Sequence, residues 1–353
     1  MSSSRAGHNR VELDGSRGEG GGQILRTALT LSLLTGRPFR MKKIRANRSK
    51  PGLRPQHLKA VESAALVGQA DVSGAAVGAR ELSFAPEEYA PSDLTIDIGT
   101  AGSTGLVLQT VHLPLAMKAA RSVSLKLTGG TFNPMAPAFT FLETTWRGYL
   151  RAFGMPLELA MPAAGFYPKG GGKLEAVITP AMPAPYVQIT RGPLLKLHGI
   201  AGVSNLSDNI AERMKARAVA RLEAKGFACE IELVRWPGPG QGAAIALIAE
   251  HEGAVPATFV GLGERGRPSE AVADEAVDQL LAFEAVADGA VDLHSADQIL
   301  LPLAFAPGRS EFTVSEVTEH LRTNVHTMGA FLDRSITVLE APGENQPARV
   351  VIE

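Results

Sequence analysis

Between Arg37 and Lys59 the 353-residue chain places nine lysine or arginine residues and no aspartate or glutamate, although its formal charge is only −1. Like charges crowded in this way repel unless an anion or solvent offsets them. Phosphate suits the pattern, because a planar guanidinium grips two phosphate oxygens at once. That puts Arg45 and Arg48 first, with Arg54, Lys42, Lys43 and Lys50 around them and Gln56 and His57 as neutral partners. Just ahead lies the run Gly18-Glu19-Gly20-Gly21-Gly22-Gln23. Glycines let the backbone approach a ligand closely, and amides at a helix start favour anions. A carboxylate set among them, Glu19, suits Mg²⁺ or Mn²⁺ completed by phosphate oxygens. Toward the other end, His320 and His326 fall within one octapeptide, and His294, Asp297 and Gln298 head an apolar helix. Imidazole can act as a covalent nucleophile toward phosphorus. Each feature also has a plainer reading: a solvated basic face, a structural glycine turn, a surface histidine, a helix cap.

The elements that must hold these residues follow from periodicity. A strand over 11–14 enters the glycine run, and an apolar helix over 23–35 leaves it, ended by Gly36. A strand over 39–45, a helix from Pro55 to Gly68 and strands near 71–72 and 81–84 follow. The order then repeats about 83 residues on, from Asp14 to Asp97. Residues 94–98 alternate as a strand, 99–105 form a second glycine turn, and 106–120 make an apolar helix. A strand over 123–127, a helix over 137–153 and strands over 157–161 and 173–179 close the unit. A third, less complete copy spans helices at 295–304 and 318–331 and strands at 311–314, 335–340 and 348–352. Residues 183–286 break the pattern and read as a small α/β domain inserted between the second and third copies. Residues 1–9 read as a disordered tail, leaving 10–182 with 287–353 as the repeat-built domain.

Several classes are excluded. There is no Walker loop, and no dinucleotide fingerprint with its ribose-binding acid. No Lys-x-Asp-Gly nucleophile motif occurs; Glu12-Leu13-Asp14-Gly15 lacks the lysine. The single cysteine, Cys229, fits a reducing compartment and allows no internal disulfide, and no zinc-type Cys/His spacing occurs. The polar start does not read as a signal peptide, and no apolar run approaches the ~20 residues that span a bilayer. A cytoplasmic location and no membrane partner are expected, with oligomeric state left open. Aromatic content of 5% argues against long base-stacking surfaces.

The motifs in order resemble those of the RNA 3′-terminal phosphate cyclase family. The resemblance rests on Asp14-Gly15 with the glycine run through Arg26, on residues 44–53, and on Gly102-Ser103 through Val111. It continues with Gly129-Gly130-Thr131, Asn133-Pro134, Gly165-Phe166-Tyr167-Pro168 and Gly170-Gly171-Gly172, and ends with Ala296-Asp297-Gln298 and residues 320–324. It covers nearly the whole chain and is weakest in the inserted domain. It implies an α/β (α+β) fold of three βαβαββ repeats, similar to the C-terminal domain of translation initiation factor three, with a small inserted α/β domain.

It also implies an ATP-dependent ligase that closes an RNA 3′-terminal phosphate into a 2′,3′-cyclic phosphodiester, through covalent histidine–AMP and RNA-adenylate intermediates. His320 matches the adenylated nucleophile, and Glu19 the carboxylate that holds Mg²⁺ or Mn²⁺ on the ATP phosphates. Arg26, Arg45, Arg48, Gln56 and Gln109 match residues of the triphosphate and RNA-phosphate pocket. Pro134 matches a residue near the adenine, and Asp297 and Gln298 match nucleotide contacts. His294 stands where some relatives place a tyrosine against the adenine. Three other readings compete: a cyclase-like protein of ribosome assembly without catalysis, an enolpyruvyl transferase, and a plain RNA-binding module. The first would lack the nucleophile, the second would need neither metal nor adenylated histidine, and the third would leave Asp297 and Gln298 without a role.

Overall fold

The computed structural model describes residues 10–18, 21–89, 92–341, 343 and 345–353. Glu19 and the expected tail over residues 1–9 lie outside them. The first unit runs β1 (Val11–Asp14), α1 (Gln23–Thr35), β2 (Phe39–Lys42), α2 (Pro55–Gly68), β3 (Asp71–Ser73) and β4 (Leu82–Ala85). Its sheet order is β1-β2-β4-β3, with β1 parallel to β2 and β4 antiparallel to it. A parallel pair needs a crossover, and α1 supplies it. Val11, Leu13, Phe39 and Met41 alternate inward along β1 and β2. Nine of the 13 residues of α1 are buried, so it is a central helix rather than an amphipathic cover. Each leucine it buries contributes roughly 1.5–3 kcal/mol.

The second unit repeats the plan. It contains β5 (Leu94–Asp97), α3 (Thr104–Lys118), β6 (Val123–Gly129), α4 (Phe139–Phe141), α5 (Arg147–Ala152), β7 (Leu157–Ala163) and β8 (Gly172–Ile178), with sheet order β5-β6-β8-β7. Pro114 lies inside α3 and lacks the N–H that would bond the Thr110 carbonyl. Thr30 Oγ1 of α1 donates to that carbonyl at 2.7 Å, so a helix defect becomes an inter-unit tie. The continuous helix expected over 137–153 is instead divided by a π-helical stretch, Leu142–Trp146. The wider turn accompanies two divergent contacts. Thr145 Oγ1 donates to Pro256 O at 2.8 Å, while Trp146 is buried and meets His112 edge-on at 5.0 Å.

β9 (Val187–Gln188) opens the third unit, and the chain then departs through β10 (Leu194–Ser204), α6 (Asn209–Glu223), β11 (Glu230–Arg235), β12 (Gly242–His251), β13 (Ala257–Leu262) and α7 (Ser269–Glu284). These form a sheet of order β11-β10-β12-β13 with its own apolar core around Met214, Leu222, Leu247 and Phe259. The chain returns with α8 (Leu293–Phe305), β14 (Ser310–Val314), α9 (Glu319–Gly329), β15 (Ile336–Leu339) and β16 (Ala348–Ile352). Here β9 pairs parallel with β14, and β16 lies antiparallel between β14 and β15. This is the order of the first two units. The insertion therefore interrupts the third unit after its first strand, where the others carry a glycine turn, rather than preceding it. A two-residue strand shows no readable period, which is why the sequence assigned it to the insertion. We place the boundary between β9 and β10. Among the described residues no helix is long and apolar enough to cross a membrane.

Candidate active site

Asn324, on α9 one turn after His320, ties three helices together. Its Oδ1 accepts from Thr27 Oγ1 at 2.7 Å and Gln23 Nε2 at 3.2 Å, both on α1. Its Nδ2 donates to the Asp297 carbonyl of α8 at 2.9 Å. Asn324 is only 2% exposed, so these bonds are what make its amide tolerable in the interior. The i, i+4 spacing sets His320 on the same helix face. His320 Nδ1 lies 3.9 Å from Asp297 Oδ2, an ion-pair distance rather than a hydrogen bond.

Burial pushes the Asp297 carboxyl up to about 6, against the opposing pull of His320 and Arg26. Arg26 projects from α1 and donates to Gln23 Oε1 at 2.8 Å. Burial lowers its guanidinium to about 10 while Asp297 draws it upward, so it stays a cation at neutral pH. His57, on α2, is buried. Burial first, then Arg26, Arg45 and Arg54, hold its imidazole down to about 3, so it is neutral. Its Nδ1 accepts the Arg54 N–H at 3.2 Å, which leaves the proton on Nε2. A Cβ at position 22 would run into the His57 ring and lie 2.7 Å from an Arg26 nitrogen, so both side chains would have to shift.

Arg45 sits at φ 52°, a left-handed conformation that costs a non-glycine residue about 1–3 kcal/mol. Its guanidinium donates to Lys50 O at 2.8 Å and Gly52 O at 3.0 Å. Burial, then Arg48 and Arg54, lower its pKa. These arginines are close enough to repel one another, as a site built for an anion would have them. The rest of the basic run is partly compensated by acids outside it, two of them distant in sequence. Lys43 pairs with Asp14, Arg40 with Glu81 and Lys59 with Glu62, each at 2.8 Å. Acids thus offset part of the run, and Arg45 belongs to none of those three pairs.

Gln109 of α3 donates from Nε2 to Gln298 Oε1, and Gln298 Nε2 donates to the His294 carbonyl at 2.8 Å. His294 is exposed, and its Nε2 meets Gln279 Oε1 of α7 at 3.2 Å. The cap of α8 is Asp292, whose Oδ1 accepts the His294 and Ser295 amides at 2.9 and 3.0 Å. His294, Asp297 and Gln298 are therefore not spent on capping. Gln56 abuts the second glycine turn, where a Cβ on Gly102 would lie 3.0 Å from the Gln56 Cβ. Pro134 is exposed beside Asn133, whose amide donates to the Ala101 carbonyl of the same turn. His326, the rival histidine, is engaged by Arg17 at 3.0 Å. Among the described residues no group of three His, Cys, Asp or Glu could enclose a metal ion; Glu19 is not among them.

Sequence reasoning missed Gln23, Thr27 and Asn324 as a junction, Asp292 as the cap and Gln279 as the partner of His294. A signal for the junction was present. Gln23 with Thr27, and His320 with Asn324, are polar pairs at i, i+4 spacing, each within a polar stripe of its helix that also carries Arg26 and Thr30, or Thr323 and Thr327.

Comparison with known proteins bears on what this arrangement does. A family model described as RNA 3′-terminal phosphate cyclase matches residues 17–338. Three relatives named RNA 3′-terminal phosphate cyclase are similar over most of the chain. That of Ectopseudomonas mendocina is 42% identical over 332 residues, 94% of this chain and 95% of its own. That of Archaeoglobus fulgidus is 40% identical, over 92% and 97% respectively. That of Ralstonia nicotianae is 44% identical, over 93% of each.

Proposed function

This chain belongs to the RNA 3′-terminal phosphate cyclase family, and we propose that it closes the 3′-terminal phosphate of an RNA onto the neighbouring 2′-oxygen at the expense of ATP. The observation that carries the residue assignment is the convergence of His320, Asp297 and Arg26 on the Asn324 junction, beside the Arg45 loop.

In this reading His320 attacks the α-phosphorus of ATP. A P–N bond forms, the bond to the β-phosphate oxygen breaks, and pyrophosphate leaves. Nδ1 faces Asp297, so we assign the attack to Nε2. The Asp297 carboxylate then steadies the cationic imidazole while Nε2 carries AMP. Arg26, Arg45 and Arg48 offset charge gathering on the triphosphate, and Gln56 and Gln109 add neutral contacts. His294, Pro134 and Gln298 are assigned to the nucleoside. One carboxylate in a glycine run, with phosphate oxygens, is a donor set that fits Mg²⁺ or Mn²⁺ at Glu19. Such an ion would neutralise the leaving pyrophosphate.

An oxygen of the RNA phosphate next attacks the histidine-bound phosphorus, breaking the P–N bond and restoring His320. The RNA end becomes an anhydride with AMP. The 2′-hydroxyl gives up its proton and attacks the RNA phosphorus, and AMP departs as the good leaving group that a phosphate monoester lacks. The last step is intramolecular, which removes most of its entropic cost. Relatives named as cyclases support this over a binding-only or enolpyruvyl-transfer role.

The test is an RNA oligonucleotide bearing a 3′-phosphate, incubated with the chain, ATP and Mg²⁺. The expected product has a phosphatase-resistant end and appears with one AMP per end closed. An end that stays phosphatase-sensitive while ATP is present at saturation would contradict the proposal.

A further inference from the structure

We propose that the turn between β7 and β8 is the docking surface for the RNA strand upstream of its terminal phosphate, with the Tyr167 ring as a stacking platform for one base. The inference rests on the cyclase reading and deepens it. Tyr167 is the one exposed aromatic among the described residues, 69% exposed, whereas its neighbour Phe166 is 4% exposed. Phe166 stacks on Phe132 at 4.8 Å, and Phe132 packs on Trp236 at the same distance. That buried anchor holds Tyr167 at the surface. The loop is further fixed where Ala164 N–H bonds the Pro237 carbonyl at 2.7 Å. A rigid, outward phenol ring offers an apolar face with a wet hydroxyl, which stacks with any base.

Its place in the fold points to the strand. Gly170, at φ 65°, packs so closely on the second glycine turn that a Cβ there would lie 2.6 Å from Ala101 Cα. The same turn abuts Gln56 through Gly102. The 100–102 turn therefore touches both Gln56 and Gly170, and so bridges α2 to the loop that carries Tyr167. Tyr167, three residues from Gly170, lies within roughly 10 Å of it by chain length alone. Charge agrees. The loops 129–135, 165–172 and 236–242 hold one lysine, Lys169, and no aspartate or glutamate. The Lys169 stem lies along Gly240, where a Cβ would be 3.2 Å from Lys169 Cβ, and the residue is exposed. A polyanion meets no repulsion there and one cation. A single platform also fits the low aromatic content: the end is recognised with one stacked base rather than a sequence.

The experiment compares wild type, Tyr167→Ala and Tyr167→Phe on short 3′-phosphorylated RNAs, with either a normal or an abasic nucleotide upstream of the terminal one. It reads KM and kcat for ring closure, and separately the yield of AMP–protein adduct without RNA. Expected is an RNA KM raised ~5- to ~100-fold in Tyr167→Ala, the span that one base–aromatic stack supplies. Tyr167→Phe should restore it, adduct yield should stay at wild-type level, and the two proteins should share one KM on abasic RNA. An unchanged KM in Tyr167→Ala, or a full loss persisting on abasic RNA, would overturn the platform alone. Wild type that closes neither RNA would overturn the cyclase reading and the platform with it.

Discussion

Replacing Asp297 by asparagine should strengthen the fold and weaken the chemistry. Burial raises this carboxyl from 3.8 to about 6, even with His320 and Arg26 pulling the other way. The folded protein thus holds the proton more tightly than the unfolded chain does. Stability from this source is full below about pH 4 and is lost as pH rises through about 6. A shift of about two units corresponds to about 3 kcal/mol at pH 8. With about 2.1 cal/mol/K of unfolding entropy per residue, that amounts to about 4 °C in Tm. Asparagine keeps the shape and mimics the protonated acid, and the backbone carbonyl that receives Asn324 Nδ2 is untouched. Thermal unfolding should show Asp297→Asn about 4 °C above wild type at pH 8, and the two coincident at pH 4. Adduct formation with ATP at pH 8 should fall at least about tenfold, since the charge facing Nδ1 is gone. A variant no more stable at pH 8, or one whose gain persists undiminished at pH 4, would refute the assignment of Asp297 as a buried charge kept at a cost to stability.

Three further outcomes are expected. His112 is buried against Trp146, its Nε2 lacks a partner among the described residues, and burial lowers its pKa to about 3. The unfolded chain binds that proton below about pH 6.5, so His112→Phe should gain about 2 kcal/mol on wild type between pH 8 and pH 5 in denaturant titrations, and parallel curves would count against it. Gly22→Ala should displace His57 and Arg26 and cut adduct formation at least about tenfold, measured on protein whose unfolding midpoint confirms a folded chain; normal adduct yield would show the close approach to be dispensable. Binding of 3′-phosphorylated RNA should weaken with salt, and Arg48→Ala should flatten the logarithmic slope by about 0.7; an identical slope would remove Arg48 from the phosphate contacts.

Much of this was legible in the residues because the repeat is written in local patterns. Alternation marked β1, β2 and β6, and α1 and α3 stood out as predominantly apolar runs behind glycine turns. What stayed hidden was long-range or too short to have a period. β9 is defined by pairing with Glu311 and Phe312, more than a hundred residues away. The π-helical stretch answers to Thr145 meeting the inserted sheet, which no local signal records. At the site, the basic run and the two histidines stood out. The sorting of the run did not, because Glu81 reaches Arg40 only through the β2–β4 pairing and Asp14 reaches Lys43 only through the β1–β2 pairing. The junction at Asn324 joins residues roughly three hundred positions apart, so chemistry-bearing side chains could be named while the bonds that aim them could not.

The central claim is that His320 takes AMP. The measurement is incubation with Mg²⁺ and ATP labelled at the α-phosphate, followed by denaturing separation of wild type and His320→Ala. The account predicts one labelled species that survives alkali, is lost in acid, maps to the peptide containing His320 and is absent from the variant. Label retained at wild-type level in His320→Ala, or label mapping to the peptide of another residue, would contradict it.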